Sequence, residues 1–277
     1  MLLNKIKLTT RFSDLDMNRH VTSRTYENFC REGRFALLAD NDYPIERIYK
    51  DNFKLVPISQ HIRFMNQQFS GAALEIRTEA YPDSNGMIIW DQVILENSGK
   101  MICHIQSNTI SKSAQGEVIN LLPETEKKMR ELAHEIKPFN NTCQRIVSNW
   151  RMLYSELDCF GNFPPSGYWR IFEEGRWYFF KNMDLSKMKE TDTTAFFMGG
   201  SIQYIKEPIP NTEWKLYTWI EKVDKIRFHF RQDLLDFNGD IIASMRDEQL
   251  MVSISASRPK KAPDEFLKML ELFLEYK

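Results

Sequence analysis

Three polar residues that could perform acid–base chemistry lie close together near the start of the chain. Asp16, Asn18 and His20 alternate with other residues, just before a segment with helical periodicity. In an extended chain, this alternation would direct all three side chains to one side. A carboxylate, a carboxamide and an imidazole beside the free N–H groups of a helix N-terminus can activate water and stabilise an anionic oxygen. The segment predicts a hydrolytic site, although Asp and Asn before a helix are also common turn and capping residues.

The chain consists of two repeats, and only the first repeat carries the complete polar set. The segment that starts at Arg11 aligns without gaps with a segment 142 residues later. At the positions of Asn18 and His20, the second repeat has Phe160 and Asn162. The chemistry is therefore expected in the first repeat.

The repeats have the size of whole domains. The chain has 277 residues, and the correspondence continues to the end of each half with an offset of 140. Solenoid repeats are far shorter, in the range of about 20 to 50 residues. We therefore expect a first domain at residues 1–137 with the catalytic motif, and a second at residues 138–277 without an active site of its own.

Each repeat is predicted to contain one long amphipathic helix followed by strands. In the first repeat, apolar or small residues recur at helical spacing from Tyr26 to Leu37, and the second repeat has the same stripe from Tyr168 to Phe179. A glycine in both stripes, Gly33 and Gly175, lowers helix propensity, which indicates a close approach to another backbone. The predicted strands are Ile62–Met65, Leu74–Tyr81, Met87–Glu96 and Met101–Ser111.

The order of these elements indicates an α+β fold in which an antiparallel sheet packs on one long helix. A closing helix is predicted in each repeat, at Pro123–Ile136 and Pro263–Tyr276, with proline at the first helical position.

The composition argues against several classes of protein. The 37 Lys and Arg residues nearly balance the 38 Asp and Glu residues, so nothing indicates a surface for nucleic acid. No apolar stretch approaches the roughly 20 residues of a membrane-spanning helix. The four cysteines have no zinc-ligand spacing, and the N-terminus does not resemble a signal peptide, which together favour a reducing cytoplasm.

The run from Ser13 to Val21, Ser-Asp-Leu-Asp-Met-Asn-Arg-His-Val, resembles the Asp-x-Asn-x-His-Val signature of acyl-acyl-carrier-protein thioesterases. Glu32-Gly33-Arg34 is also similar to the Glu-x-Arg pattern of the wider 4-hydroxybenzoyl-CoA thioesterase group. The resemblance covers both halves of the chain. It implies a tandem, or double, hotdog fold, in which each unit is a long helix wrapped by an antiparallel sheet.

The same resemblance implies roles for individual residues. Asp16, Asn18 and His20 would be catalytic, with Asp16 as general base or nucleophile. The family commonly has Asn-Asn where this chain has Thr22-Ser23, and a further acidic or thiol residue where Gln68 and its neighbours lie. Thr22, Ser23 and Gln68 are therefore expected to contact the substrate.

The expected function is hydrolysis of a fatty acyl thioester, carried by acyl carrier protein or coenzyme A, to the free acid and the thiol. No metal or other cofactor is implied. The monomer would be equivalent to a hotdog dimer, and a further homodimer is compatible with the sequence. The acyl chain is expected in an apolar tunnel between the units, where Phe172 on the aromatic-rich second helix is the first candidate to limit its length.

Two alternatives stay open. A hotdog hydroxyacyl dehydratase would resemble the pattern Asp-x-Asn-Pro-x-His, but Arg19 stands at the place of the proline and His20 comes one residue early. A non-catalytic acyl-binding protein would keep the tunnel and lose both sites. The complete set of Asp16, Asn18 and His20 argues against that second alternative.

Overall fold

The computed structural model describes residues 2–125, 129, 132, 137, 139, 143–183 and 185–275. The chain divides into two compact units. The first unit comprises the described residues of 1–133 and 157–169, and the second those of 134–156 and 170–277. The first unit thus includes the loop of the second repeat that corresponds to the polar segment of the first.

The first unit contains a five-stranded antiparallel sheet in the order β1-β3-β4-β5-β2. Its elements are β1 (Leu2–Thr9), α1 (Ser23–Ala39), α2 (Ile45–Asp51), β2 (Lys54–Phe64), β3 (Ala73–Pro82), β4 (Met87–Glu96) and β5 (Met101–Lys112). The long helix α1 packs against β1, β3 and β5. The bounds of β4 agree with the sequence prediction, because turn-forming residues flank the strand at 82–86 and 96–100.

The second half of the chain repeats this order of elements. They are β6 (Ile146–Arg151), α3 (Pro165–Lys181), α4 (Ser186–Glu190), β7 (Thr193–Tyr204), β8 (Glu213–Val223), β9 (Arg227–Leu235), β10 (Ile241–Ser253) and α5 (Asp264–Leu270). The antiparallel strands follow the order β7-β10-β9-β8-β6, which is the topology of the first sheet with each strand replaced by its counterpart. The predicted fold class, a duplicated helix-and-sheet unit, is confirmed.

The close approach predicted at the paired glycines is present in both units. A Cβ atom on Gly33 would lie 2.4 Å from Thr78 Oγ1, and one on Gly175 would lie 2.4 Å from Gln232 Nε2. The neighbouring atoms are side chains that rise from the sheet, whereas the sequence had indicated another backbone. Glycine is therefore needed because the sheet places bulky and polar side chains directly under each helix.

Each unit has its own apolar core. Within the first unit, Leu37 and Leu38 of α1 pack with Trp90 of β4, and within the second unit Phe179 of α3 packs with Phe230 of β9. Among the helices that the structure describes, none combines the length and the apolar character needed to cross a membrane.

The closing helices differ from the prediction. Helix α5 ends at Leu270 and continues only as a 3₁₀ turn at Glu271–Phe273, so the predicted helix to Tyr276 is too long. Pro263 occupies the N-cap of α5 and not its first helical position. Of the other predicted closing helix, residues 123–125 are not helical, and most of the remaining span lies outside the described residues.

Candidate active site

The polar segment of the first repeat folds into a tight turn. Strand β1 ends at Thr9, a 3₁₀ turn covers Phe12–Asp14, and Leu15 then pairs with Val21 in an isolated antiparallel bridge. The predicted extended alternation at residues 16–20 is therefore wrong. The chain reverses direction between the two bridge residues, so spacing along a strand does not determine where these side chains lie.

The carboxylate of Asp16 organises this turn. Its Oδ1 atom accepts hydrogen bonds from the backbone N–H groups of Asn18 at 2.8 Å and His20 at 3.0 Å. The side chain of Asn18 donates to the other carboxylate oxygen at 3.2 Å. The structure thus joins Asp16 directly to Asn18, and it ties the backbone of His20 to the same carboxylate.

The same five-residue turn occurs three more times among the described residues. In each turn, Oδ1 of the leading Asp accepts hydrogen bonds of 2.8–3.0 Å from the backbone N–H groups of the third and fifth residues. These Asp turns begin at Asp16, Asp83, Asp158 and Asp236. The fourth residue is glycine in three of them, but in the first it is Arg19, with φ of 66°. A left-handed conformation costs a non-glycine residue about 1–2 kcal/mol.

The half-buried imidazole of His20 packs against an aromatic side chain. Its ring meets Phe69 edge to face, with the ring centroids 5.4 Å apart. Phe69 belongs to the connection between β2 and β3, and Thr10 donates a hydrogen bond of 2.6 Å to its carbonyl oxygen. In the same connection, the carbonyl oxygen of Gln68 accepts a hydrogen bond of 3.0 Å from Val21. The structure therefore brings the backbone of Gln68 to the turn.

Helix α1 begins directly after the turn and leaves donors unused. Thr22 is the N-cap, and its hydroxyl accepts a hydrogen bond of 3.2 Å from the backbone N–H of Thr25. No described residue accepts from the backbone N–H of Ser23 or Arg24, and the buried hydroxyl of Ser23 has no partner among the described residues. These free donors stand at the positive end of a 17-residue helix, where an anionic oxygen would be stabilised.

The corresponding turn of the second repeat has different contacts. Asp158 forms an ion pair with Arg31. Phe160, which corresponds to Asn18, stacks on Phe35 with a centroid separation of 5.5 Å. Helix α3 starts at Pro165, the counterpart of Ser23, and proline has no N–H to donate. The second turn thus has the same backbone hydrogen bonds as the first, but its aromatic ring packs on Phe35 and its carboxylate is paired with Arg31.

A buried polar network under α1 was not foreseen from the sequence. The carboxylate of Glu27 has no exposed surface and pairs with Arg34, which also donates a hydrogen bond of 2.9 Å to Ser107. Gln60 donates to Glu27 at 2.5 Å and to Ser107 at 2.7 Å, while its carbonyl oxygen accepts from the indole of Trp169. The charged pair is compensated by these additional hydrogen bonds, as a buried ion pair requires.

The second repeat has the same arginine as this network, but its acidic partner lies on a strand instead of on the helix. Arg176 corresponds to Arg34, but its partner is Asp247 on β10 at 3.1 Å, where the first repeat has Ser107. Trp169 occupies the position of Glu27. Burial raises the pKa of Asp247 above its ordinary value, and the guanidinium of Arg176 opposes that shift. The acidic residue is Glu27 in the first repeat, where the second has Trp169, and Asp247 in the second, where the first has Ser107. This exchange is the sequence signal that could have revealed both networks.

Two further residues, one on each long helix, are buried. Cys30 is completely buried on α1, and burial raises the pKa of its thiol well above the ordinary value, which disfavours a nucleophilic thiolate. Phe172 is completely buried on α3, whereas Trp177 and Tyr178 on the same helix are exposed. The packing of Phe172 is compatible with a role in an acyl site and with a role in the core alone.

Comparisons with known proteins agree with this fold. Residues 153–270 match the family model described as the thioesterase-like superfamily. The fold is similar to that of an acyl-ACP thioesterase from Bacteroides thetaiotaomicron, with a TM-score of 0.66, 14% identity, and coverage of 90% of this chain and 98% of the other. It is also similar to the 12:0-ACP thioesterase from Umbellularia californica, with a TM-score of 0.68, 12% identity, and coverage of 94% and 95%. A search of curated proteins gave no significant match.

The matched segment lies in the second repeat, whereas the complete polar set lies in the first. The fold, in contrast, extends over both repeats, because each similar structure is covered almost from end to end. The resemblance identified in the sequence is confirmed: residues 153–270 match the model of the thioesterase-like superfamily, and the chain has the double hotdog fold.

Proposed function

We propose that this protein is an acyl thioesterase that hydrolyses a fatty acyl thioester to the free acid and the thiol, using the polar turn of its first repeat. Thioester hydrolysis is the reaction class of the matched superfamily. The observation that carries the proposal is that both repeats contain the same Asp turn, but with different side chains. The first Asp turn has Asn18 and His20 and precedes free helix donors, whereas the second has Phe160, Asn162 and a following proline.

In the proposed reaction, the Asp16 carboxylate acts on the thioester carbonyl in one of two ways. As a general base, it removes a proton from water while the water oxygen attacks the carbonyl carbon. As a nucleophile, it attacks the carbonyl carbon itself, and water then hydrolyses the resulting mixed anhydride. In both routes the C–S bond breaks, the acyl group gains the water oxygen, and the thiol leaves with a proton.

The other residues of the turn hold and polarise the reactants. The Asn18 carboxamide, already bonded to Asp16, orients the carboxylate and the attacking water. His20 binds the thioester or transfers a proton to the leaving sulfur. The unused N–H groups at the start of α1, with the hydroxyl of Ser23, provide donors for the oxygen that becomes anionic, and Thr22 contacts the substrate from the N-cap of the helix. The side chain of Gln68 contacts the substrate from the neighbouring β2–β3 connection.

The two domains have different roles, and the substrate has a limited acyl-chain length. The first domain, residues 1–137, supplies the catalytic motif, and the second, residues 138–277, has no active site of its own. Phe172 limits the length of the acyl chain. The thiol carrier is acyl carrier protein or coenzyme A, the reaction takes place in the cytoplasm, and the protein acts as a monomer equivalent to a hotdog dimer or as a homodimer of it.

One observation favours the alternative of a non-catalytic acyl-binding protein. The hydrogen bonds of Asp16 to the backbone are the same as those of Asp83 and Asp236, which only form turns between strands. The backbone contacts of Asp16 are therefore no evidence of catalysis by themselves. An acyl-binding protein would retain acyl-thioester affinity and release no thiol.

The decisive experiment measures thiol release from acyl-CoA and acyl-carrier-protein substrates of graded chain length. Wild type is expected to release thiol with at least one of them, and the double variant Asp16→Asn/His20→Ala to lose most of that rate. Absence of release from every substrate, together with measurable binding, would establish the acyl-binding alternative. Equal rates for wild type and the double variant would remove the first turn from the mechanism.

A further inference from the structure

Two exposed arginines flank the candidate site at positions where the local backbone favours other residues. Arg19 is the fourth residue of the first Asp turn, and Arg24 lies in the first turn of α1. Both are exposed, and neither is paired with an acidic residue among those that the structure describes. They stand on either side of the segment from His20 to Ser23, which contains the proposed substrate contacts.

Each arginine is unfavourable for its own element. Arg19 adopts a φ of 66°, a conformation that the three other Asp turns give to glycine. Arg24 places a positive charge at the positive end of a helix whose first turn contains no acidic residue, although anions are preferred there. Residues that contradict local preference without a structural gain are concentrated at functional sites.

The second repeat provides a direct comparison. At the positions of Arg19 and Arg24 it has Gly161 and Ser166, which suit a left-handed turn residue and a helix start. The local structure is thus compatible with neutral residues at both places. Arg11, the third arginine between residues 11 and 24, is partly neutralised by Asp14 at 3.3 Å. Arg19 and Arg24 are thus the arginines of this segment that have no acidic partner among the described residues.

We infer that Arg19 and Arg24 are specificity-determining residues that recognise the phosphate group of a phosphopantetheine thiol arm. This inference rests on the proposed thioesterase function. The thioester carbonyl would react at the turn, while the arm extends outward and carries its phosphate to the exposed guanidinium groups. Arginine suits this role because its planar donors match phosphate oxygens. The phosphopantetheine phosphate is common to coenzyme A and acyl carrier protein, so the recognised chemistry is shared by both carriers.

The test compares thioesters of one acyl chain on five thiols. Pantetheine and N-acetylcysteamine carry no phosphate, whereas 4′-phosphopantetheine, coenzyme A and acyl carrier protein do. For the double variant Arg19→Gly/Arg24→Ser, we expect the ratio of kcat/KM for acyl-phosphopantetheine to that for acyl-pantetheine to fall about tenfold, as expected for the loss of one charge-assisted contact. The melting temperature should stay equal or rise, because both substitutions follow local preference.

The control variant is Lys50→Ser/Lys100→Ser, which removes two exposed positive charges from α2 and from the β4–β5 connection of the same unit. It should leave the ratio unchanged. An unchanged ratio in the arginine variant, or an equal fall in the control, would overturn the inference. Similar losses with acyl-CoA and acyl carrier protein are expected, because both carry the phosphopantetheine phosphate. A loss confined to one of the two carriers would assign the contact to a group outside the shared arm and would overturn the inference.

Failure of the proposed function gives a different result. A wild type that hydrolyses none of the five thioesters contradicts the thioesterase proposal, and the phosphate contact is then measured by calorimetric titration with free coenzyme A and free pantetheine. Tighter binding of coenzyme A that disappears in the arginine variant would support the contact. Equal affinity of wild type and the variant for coenzyme A would refute it.

Discussion

Asp16 accepts a hydrogen bond of 3.0 Å from the backbone N–H of His20, so the carboxylate holds the backbone of His20 as well as the turn. The corresponding bond in the second repeat, from Asn162 to Asp158, is 2.9 Å long. Removal of the Asp16 side chain would therefore disturb both the proposed base and the proposed histidine. Substitutions that keep the acceptor atom can separate the structural and chemical roles of this residue.

Asp16→Asn should lower the rate of hydrolysis about 100-fold or more and leave the fold intact, because a carboxamide oxygen can still accept both backbone bonds while the charge is lost. The matched control is Asp83→Asn, which makes the same change in an Asp turn outside the site. Hydrolysis rates and melting temperatures of both variants are compared. Full activity of the Asp16 variant, or an equal loss in the Asp83 variant, would exclude a specific catalytic role for Asp16.

His20→Ala should also lower the rate about 100-fold or more, since a positioned acid or base contributes on this scale. His20→Asn introduces the residue of the second repeat and should be similarly impaired. His104, which bonds Asp91 at 2.7 Å within the same unit, provides the control variant His104→Ala. If the two His20 variants retain wild-type kcat/KM, the imidazole has no part in the reaction.

Ser23→Pro should reduce kcat by about 10²–10³-fold, the scale for loss of one oxyanion donor. Proline removes the backbone N–H and is well tolerated at the first position of a helix, as Pro165 at the start of α3 demonstrates. Ser23→Ala keeps the N–H and removes only the hydroxyl, so its loss should be smaller. Circular dichroism and kinetics are measured together. Equal rates for the two variants would assign the donor role to the hydroxyl or to neither group.

Glu27→Gln should lower the free energy of unfolding by about 3–5 kcal/mol, because it leaves the buried guanidinium of Arg34 without a charged partner. Asp247→Asn should have a comparable effect in the second repeat, where it deprives Arg176 of its partner. Denaturant unfolding of each variant measures the loss. A decrease below about 1 kcal/mol for Glu27→Gln would show that the remaining hydrogen bonds of Arg34 satisfy its charge.

Phe172→Ala should shift the substrate preference toward longer acyl chains if this ring limits the acyl site. Each additional buried methylene contributes about 0.8 kcal/mol to binding. Truncation of the fully buried ring should also cost about 3–5 kcal/mol of stability. The measurement is kcat/KM over medium and long acyl chains, together with the melting temperature. An unchanged chain-length profile in a destabilised variant would leave Phe172 with a role in the core alone.

Much of the fold follows from local sequence signals. The duplication is visible in the gapless alignment of the two polar segments, and the turn-forming residues at 82–86 and 96–100 give the bounds of β4 at Met87–Glu96 directly. The stripe that contains Gly33 predicts both α1 and a close approach to it. These features are accessible because strand and helix periods act within a few residues along the chain. The chemistry of the candidate site is equally local, since Asp16, Asn18 and His20 lie within five residues.

Tertiary structure decided which hydrogen bonds those residues form and which polar groups are buried. A turn closed by the Asp16 carboxylate replaced the expected extended segment, because hydrogen bonds to the backbone of Asn18 and His20 outweigh strand periodicity there. The network of Glu27, Arg34 and their partners includes a hydrogen bond between residues 109 positions apart in sequence, and no local period encodes such a contact. The sequence by itself therefore determined the elements and the chemical inventory, whereas only the folded sheet under α1 decided which polar groups became buried partners.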